Sequence, residues 1–122
     1  MMSSGKFVVH KHLHQDKPVH WDLMFEAGPI LETYRVDIPP QDWANRPANA
    51  VRIFDHSLKF LTYEGPVNQG RGSVRIADAG TYKLISDAPR EILLEFEGKV
   101  LTGQFSLILV RDNHWLLTRL IP

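Results

Sequence analysis

The chain has 122 residues, 43% hydrophobic and 23% charged, a balance that excludes a disordered polymer and predicts one globular domain over residues 1–122. Fourteen basic and fourteen acidic residues cancel, so no global field draws the protein to nucleic acid or membrane, and any polyanion has to be held by a local patch. Cysteine is absent, which excludes a disulfide framework and a thiolate metal site and fits a reducing compartment. The first residues, MMSSGKFVVHKH, lack the apolar core of a signal peptide, and the longest apolar runs, such as FSLILV, fall far short of a membrane span. A cytoplasmic protein without membrane association is the expectation.

The stretch Phe7 to Glu26, FVVHKHLHQDKPVHWDLMFE, holds four of the six histidines and predicts two strands around a turn at Gln15 to Pro18. Alternation along a strand puts Phe7, Val9 and Lys11 on one side and Val8, His10 and His12 on the other. In the second strand Trp21, Leu23 and Phe25 share a core-like face, while His20, Asp22 and Met24 share the opposite one. If the two strands pair, His12 or His14 approaches His20 and Asp22. Two imidazoles and a carboxylate form a ligand set suited to manganese, iron or zinc, with open positions left for water or substrate.

Turn chemistry at Glu26 to Pro29 leads into ILETYRVDI, where Ile30, Tyr34, Val36 and Ile38 share a face, interrupted by Glu32, and Thr33, Arg35 and Asp37 share the other. Pro39 to Ala50 has no strand pattern and allows a single helical turn after Pro40, ended before Pro47, with Trp43 as a plug over the end of the core. VRIFDH alternates again, with Arg52, Phe54 and His56 on one face. LKFLTYEG follows, and then GPVNQGRGS, a glycine-containing hairpin loop flanked by Arg71 and Arg75 without a phosphate-binding pattern. The remainder is a meander: SVRIA, a turn at DAG, TYKLIS, a turn at DAP, REILLEFEG, VLTGQFSLILVR, a turn at DN, and HWLLTRL. Phe105, Leu107, Leu109, Trp115 and Leu117 are core candidates, and His114 is a surface histidine. No long stretch carries a helical apolar period, so the fold is expected to be all-β, a small barrel or sandwich with at most a short helical turn.

The order of FVVHKH, HWDLMFE, FDHSLKFLTYEG, GSVRIADAGTY and LTGQFSLILVRDNHWLLTRL resembles the 3'-phosphoesterase module of bacterial DNA ligase D proteins, over nearly the whole of Phe7 to Leu120. The resemblance implies a small closed or nearly closed antiparallel β-barrel that uses manganese to remove a terminal ribonucleoside or 3'-phosphate from DNA or RNA-terminated DNA. The product would be a 3'-hydroxyl for a DNA ligase or polymerase. It implies His12, His20 and Asp22 as metal ligands, with His14 as the alternative because it restores the family's five-residue gap. His56 would act at the scissile phosphate. Arg52, read as sharing its face, is the leading phosphate contact, with Arg35 and Arg71 as further candidates.

Two positions depart from the family pattern. Met24 stands where an arginine is usual, and Phe60 where a tyrosine is usual, so two phosphate-suited groups are missing. These departures motivate an alternative, a DNA-end or repair-partner binding module without hydrolysis. An iron-dependent oxygenase would use the same His-x-Asp set with His56 or His114, but such barrels need a longer chain and a downstream oxoacid-binding arginine.

Overall fold

A computed structural model describes residues 3–120. The alternating segments form nine strands among the described residues: β1 Ser3–His14, β2 His20–Ala27, β3 Ile30–Val36, β4 Ala48–Ser57, β5 Gly65–Val67, β6 Gly72–Ala88, β7 Glu91–Glu97, β8 Thr102–Arg111 and β9 His114–Arg119. All pair antiparallel in one sheet of order β1-β2-β3-β4-β9-β8-β7-β6-β5, and β1 also pairs with β6. Eight strands thus form a nearly closed ring, with β5 added outside it, as the all-β expectation required. Only short 3-10 turns interrupt the strands, at Pro40–Asp42, Leu58–Leu61 and Asn68–Gly70. No helix among the described residues is long and apolar enough to cross a membrane.

The ring interior is filled by one face of each strand. Phe7, Val9, Leu23, Phe25, Tyr34, Val36, Leu94, Phe96, Phe105, Leu107 and Leu117 pack together there. Trp43, on the Pro40–Asp42 turn, is fully buried in the same core and donates its indole N–H to the Ile38 carbonyl at 2.8 Å. Leu109 and Trp115 are only partly buried.

A second, smaller apolar cluster lies on the outer face. Val8, Met24 and Leu31 are buried against Phe60, Leu61 and Ile76. The excursion after β4 supplies this cover. Ser57 caps the turn that carries Phe60 by accepting the Lys59 N–H, and the chain then returns as β5 and β6. The middle of β1 is consequently buried on both faces, Phe7 to His10 without interruption.

The turn expected at DAG does not form. β6 runs through it as one strand, with a bulge at Ala77 where Val9 pairs with Asp78 but His10 pairs with Ile76. The extra residue reverses the alternation, so Val74 and Ile76 join the outer face while Tyr82 and Leu84 point into the ring. Asp78, 4% exposed, accepts the backbone N–H groups of Lys99, Val100 and Leu101 at 2.9, 3.2 and 2.7 Å, so it ties the β7–β8 connection to the ring. Gly80 and Gly98 are required by close approach: a Cβ would lie 2.1 Å from the Glu97 carbonyl oxygen at Gly80 and 2.4 Å from Asp78 Oδ2 at Gly98. Asp78→Ala strands these three donors and is expected to lower stability by about 3 kcal/mol. The check is a lower urea midpoint at unchanged slope.

Candidate metal centre

Antiparallel register builds the centre. His12 on β1 pairs directly with His20 on β2, and His10 pairs with Asp22, so all four side chains stand on the outer face. His12 Nδ1 lies 3.6 Å and His20 Nε2 3.5 Å from the same carboxylate oxygen, Asp22 Oδ2. One ligand atom from each of the three residues lies within 4.8 Å of the others. All three are buried.

Arg35 on β3 pairs across from Asp22 and brings Nε to 3.5 Å from Oδ1. The two carboxylate oxygens therefore have separate partners, the guanidinium on one side and the imidazoles on the other. Burial pushes the Asp22 carboxyl up, but His12, His20 and Arg35 more than reverse this and hold it well below the usual carboxylate range. It is ionised at neutral pH.

The donor set fits a divalent cation. His10 Nε2, both ring nitrogens of His12, His14 Nδ1 and His20 Nε2 are buried without a hydrogen-bond partner. Each such orphan costs about 1–3 kcal/mol, and the imidazoles facing Asp22 stand too far from it for good hydrogen bonds. A cation held by His12, His20 and Asp22 would satisfy one nitrogen of each of those two imidazoles together with the carboxylate, and imidazole with carboxylate suits a transition ion. His14 lies on the same face, its ring 5.9 Å from that of His12, but outside the three-residue cluster.

These residues line a cavity of about 400 Å³ together with Arg35, Phe54, His56, Phe60 and Lys17. His56 is held on three sides. Thr33 Oγ1 meets its Nδ1 at 2.8 Å, Phe54 stacks on its ring at 4.8 Å and 23°, and Phe60 meets it edge-on at 5.6 Å and 89°. The Thr33 hydroxyl thus bridges the His56 ring and the Leu31 carbonyl, from which Oγ1 stands 3.2 Å, and holds the imidazole in place.

Arg52 does not share a face with His56. A bulge in β4 pairs Leu31 with His56 but Thr33 with Ile53, so alternation reverses at Phe54 and Asp55. Arg52 instead lies across from Tyr34, 5.5 Å over its ring, with salt bridges to Glu32 at 3.3 Å and Asp55 at 2.7 Å. Arg71 lines a neighbouring recess with Arg75, outside the cavity that holds His56. His114 is exposed at the start of β9 and lines neither. Met24 is buried in the apolar floor beside Val8 and Leu31, and Phe60 packs over it. Two site residues went unmarked by the sequence. His10 shares the alternation of His12, a signal that was present, whereas nothing in the sequence distinguishes Thr33.

Fold and site together define an all-β domain bearing a candidate two-histidine, one-carboxylate centre on the outside of its ring. The family model described as DNA Ligase D 3'-phosphoesterase domain matches residues 10–109, and the chain belongs to that family. The Multifunctional non-homologous end joining DNA repair protein LigD of Mycobacterium tuberculosis is 31% identical over 93% of this chain and 16% of its own length. The Multifunctional non-homologous end joining protein LigD of Mycolicibacterium smegmatis is 26% identical over 97% of the chain and 17% of its own length. Its counterpart in Pseudomonas aeruginosa is 28% identical over 93% of the chain and 15% of its own length. The chain thus spans about a sixth of the length of these relatives.

Burial lowers the pKa of His56 from its ordinary 6.5, and Asp22 opposes this only in part. The unfolded chain therefore binds a proton at this histidine before the native one does, so the contribution of His56 to stability is present above pH 6.5 and is lost as the pH falls below it. Urea midpoints of the metal-free protein should decline below that pH, with a shallower decline in His56→Gln.

Proposed function

We propose that the chain is a metal-dependent phosphoesterase that trims a 3'-phosphate or a 3'-terminal ribonucleoside from DNA ends, with manganese as the expected ion. The observation that carries this reading is the convergence of His12, His20 and Asp22 beside His56 in one cavity. Membership of a 3'-phosphoesterase family supports 3'-end processing as its role.

His12, His20 and Asp22 would hold the ion, whose chemistry when bound is to polarise a phosphoryl oxygen and lower the pKa of water. Arg35, half exposed at the cavity edge, orients Asp22 and offers its remaining N–H groups to a phosphate oxygen. It takes the role the sequence assigned to Arg52. His56, positioned by Thr33, would hydrogen-bond the scissile phosphate or donate a proton to the leaving oxygen as its bond to phosphorus breaks, regaining that proton from the attacking water. His10 Nε2, buried in the cavity wall, offers a further hydrogen bond to the substrate or its water. Arg71 and Arg75 line the adjoining recess, where phosphates further along the strand would lie. The resulting 3'-hydroxyl suits a DNA ligase or polymerase as the next enzyme.

One observation favours a second reading. Met24 and Phe60 give the cavity an apolar floor, which supports an end-binding module that grips DNA without cutting.

Release of phosphate from a 3'-phosphorylated primer–template with manganese separates the two. Turnover is expected in the wild type, and His20→Ala should lose both turnover and manganese binding measured by calorimetry. DNA-end binding without turnover would favour the second reading; turnover unaffected by His20→Ala would refute the proposed centre. His56→Ala should retain manganese while its kcat falls by about 100-fold or more.

A further inference from the structure

Phe54 is the most exposed large apolar side chain among the described residues, at 74%. It lies at the bulge of β4, which turns it out of the alternation that would bury it and onto the cavity wall beside His56. Its ring is nearly parallel to the His56 imidazole, with centroids 4.8 Å apart. The other face is left open to solvent, as that exposure requires.

Arg52 holds this presentation. Its guanidinium ties Asp55, the other bulge residue, to Glu32 on the neighbouring strand, and its backbone N–H donates to the Asn113 carbonyl at 2.9 Å. The bulge is thereby anchored on two sides.

We propose that Phe54 is a base-stacking platform for the 3'-terminal nucleotide, an inference that rests on the reading of the cavity as a nucleic acid 3'-end site. A base lies within one nucleotide of the phosphate that His56 would meet, and the Phe54 ring is the aromatic surface stacked directly on His56. Stacking on an open aromatic ring accepts any base, which suits an end-processing site that must act on varied termini. An apolar protein partner is a poor alternative, because Asp55, Ser57, Lys17 and Asn68 also line the cavity.

The test compares binding of two 3'-phosphorylated primer–templates, identical except that the terminal nucleoside of one lacks its base. Wild-type protein should bind the base-bearing end about tenfold more tightly, the size of one aromatic–base stack. Phe54→Ala should bring that ratio close to one, Phe54→Trp should keep it, and Phe54→Leu, apolar without a π face, should lose most of it. The substitutions fall on an exposed side chain, so folding is expected to survive. A ratio near one in the wild type, or one unchanged in Phe54→Ala, overturns the proposal. Phosphate release followed in the same samples distinguishes the two levels. Base preference without turnover leaves the platform standing and removes the hydrolase reading, whereas turnover without base preference does the reverse.

Discussion

β1 hydrogen-bonds along both edges, to β2 on one side and to β6 on the other, and the ring and the site both depend on that double pairing. It removes the free edges an open sheet would leave. It also fixes register twice over. A slip of one residue would carry Phe7 and Val9 out of the core and drive His10 and His12 into it, so burial of the inner face enforces the position of the histidines on the outer face.

That outer face is electrostatically demanding. A buried carboxylate and several buried imidazole nitrogens share a small volume, and Arg35 answers only one oxygen of Asp22. Residues after β4 wrap the outer face and exclude water from part of it, which strengthens every charge interaction inside. His12, His20 and Asp22 are a donor set that a divalent cation would suit, and the residues after β4 supply cover beside it.

Two bulges set the remaining geometry. The one at Ala77 sends Asp78 inward to hold the β7–β8 connection and leaves Val74 in the cavity wall. The one at Phe54 and Asp55 separates His56 from Arg52, giving the first to the cavity and the second to the clip that fixes the rim. Each inserts one residue and exchanges the faces of everything beyond it. Met24 and Phe60 pack in the outer apolar cluster, so the cationic and imidazole groups of the cavity wall are Arg35, Lys17 and the histidines.

Strand alternation and turn chemistry alone determined the all-β class, most strand positions, and the sharing of a face by His20 and Asp22 and by His10 and His12. Those are local properties, because the two-residue period of a strand is written in neighbouring residues. Tertiary structure decided what local periodicity cannot express. It paired His12, and not His14, directly with His20, since cross-strand register depends on where the intervening turn absorbs its extra residues. It turned DAG into continuous strand because Asp78 binds a distant connection, and it joined Thr33 to His56 across 23 residues. It also moved Arg52 out of the site, for a bulge forms where packing between strands demands an extra residue, and no pattern within one strand announces it.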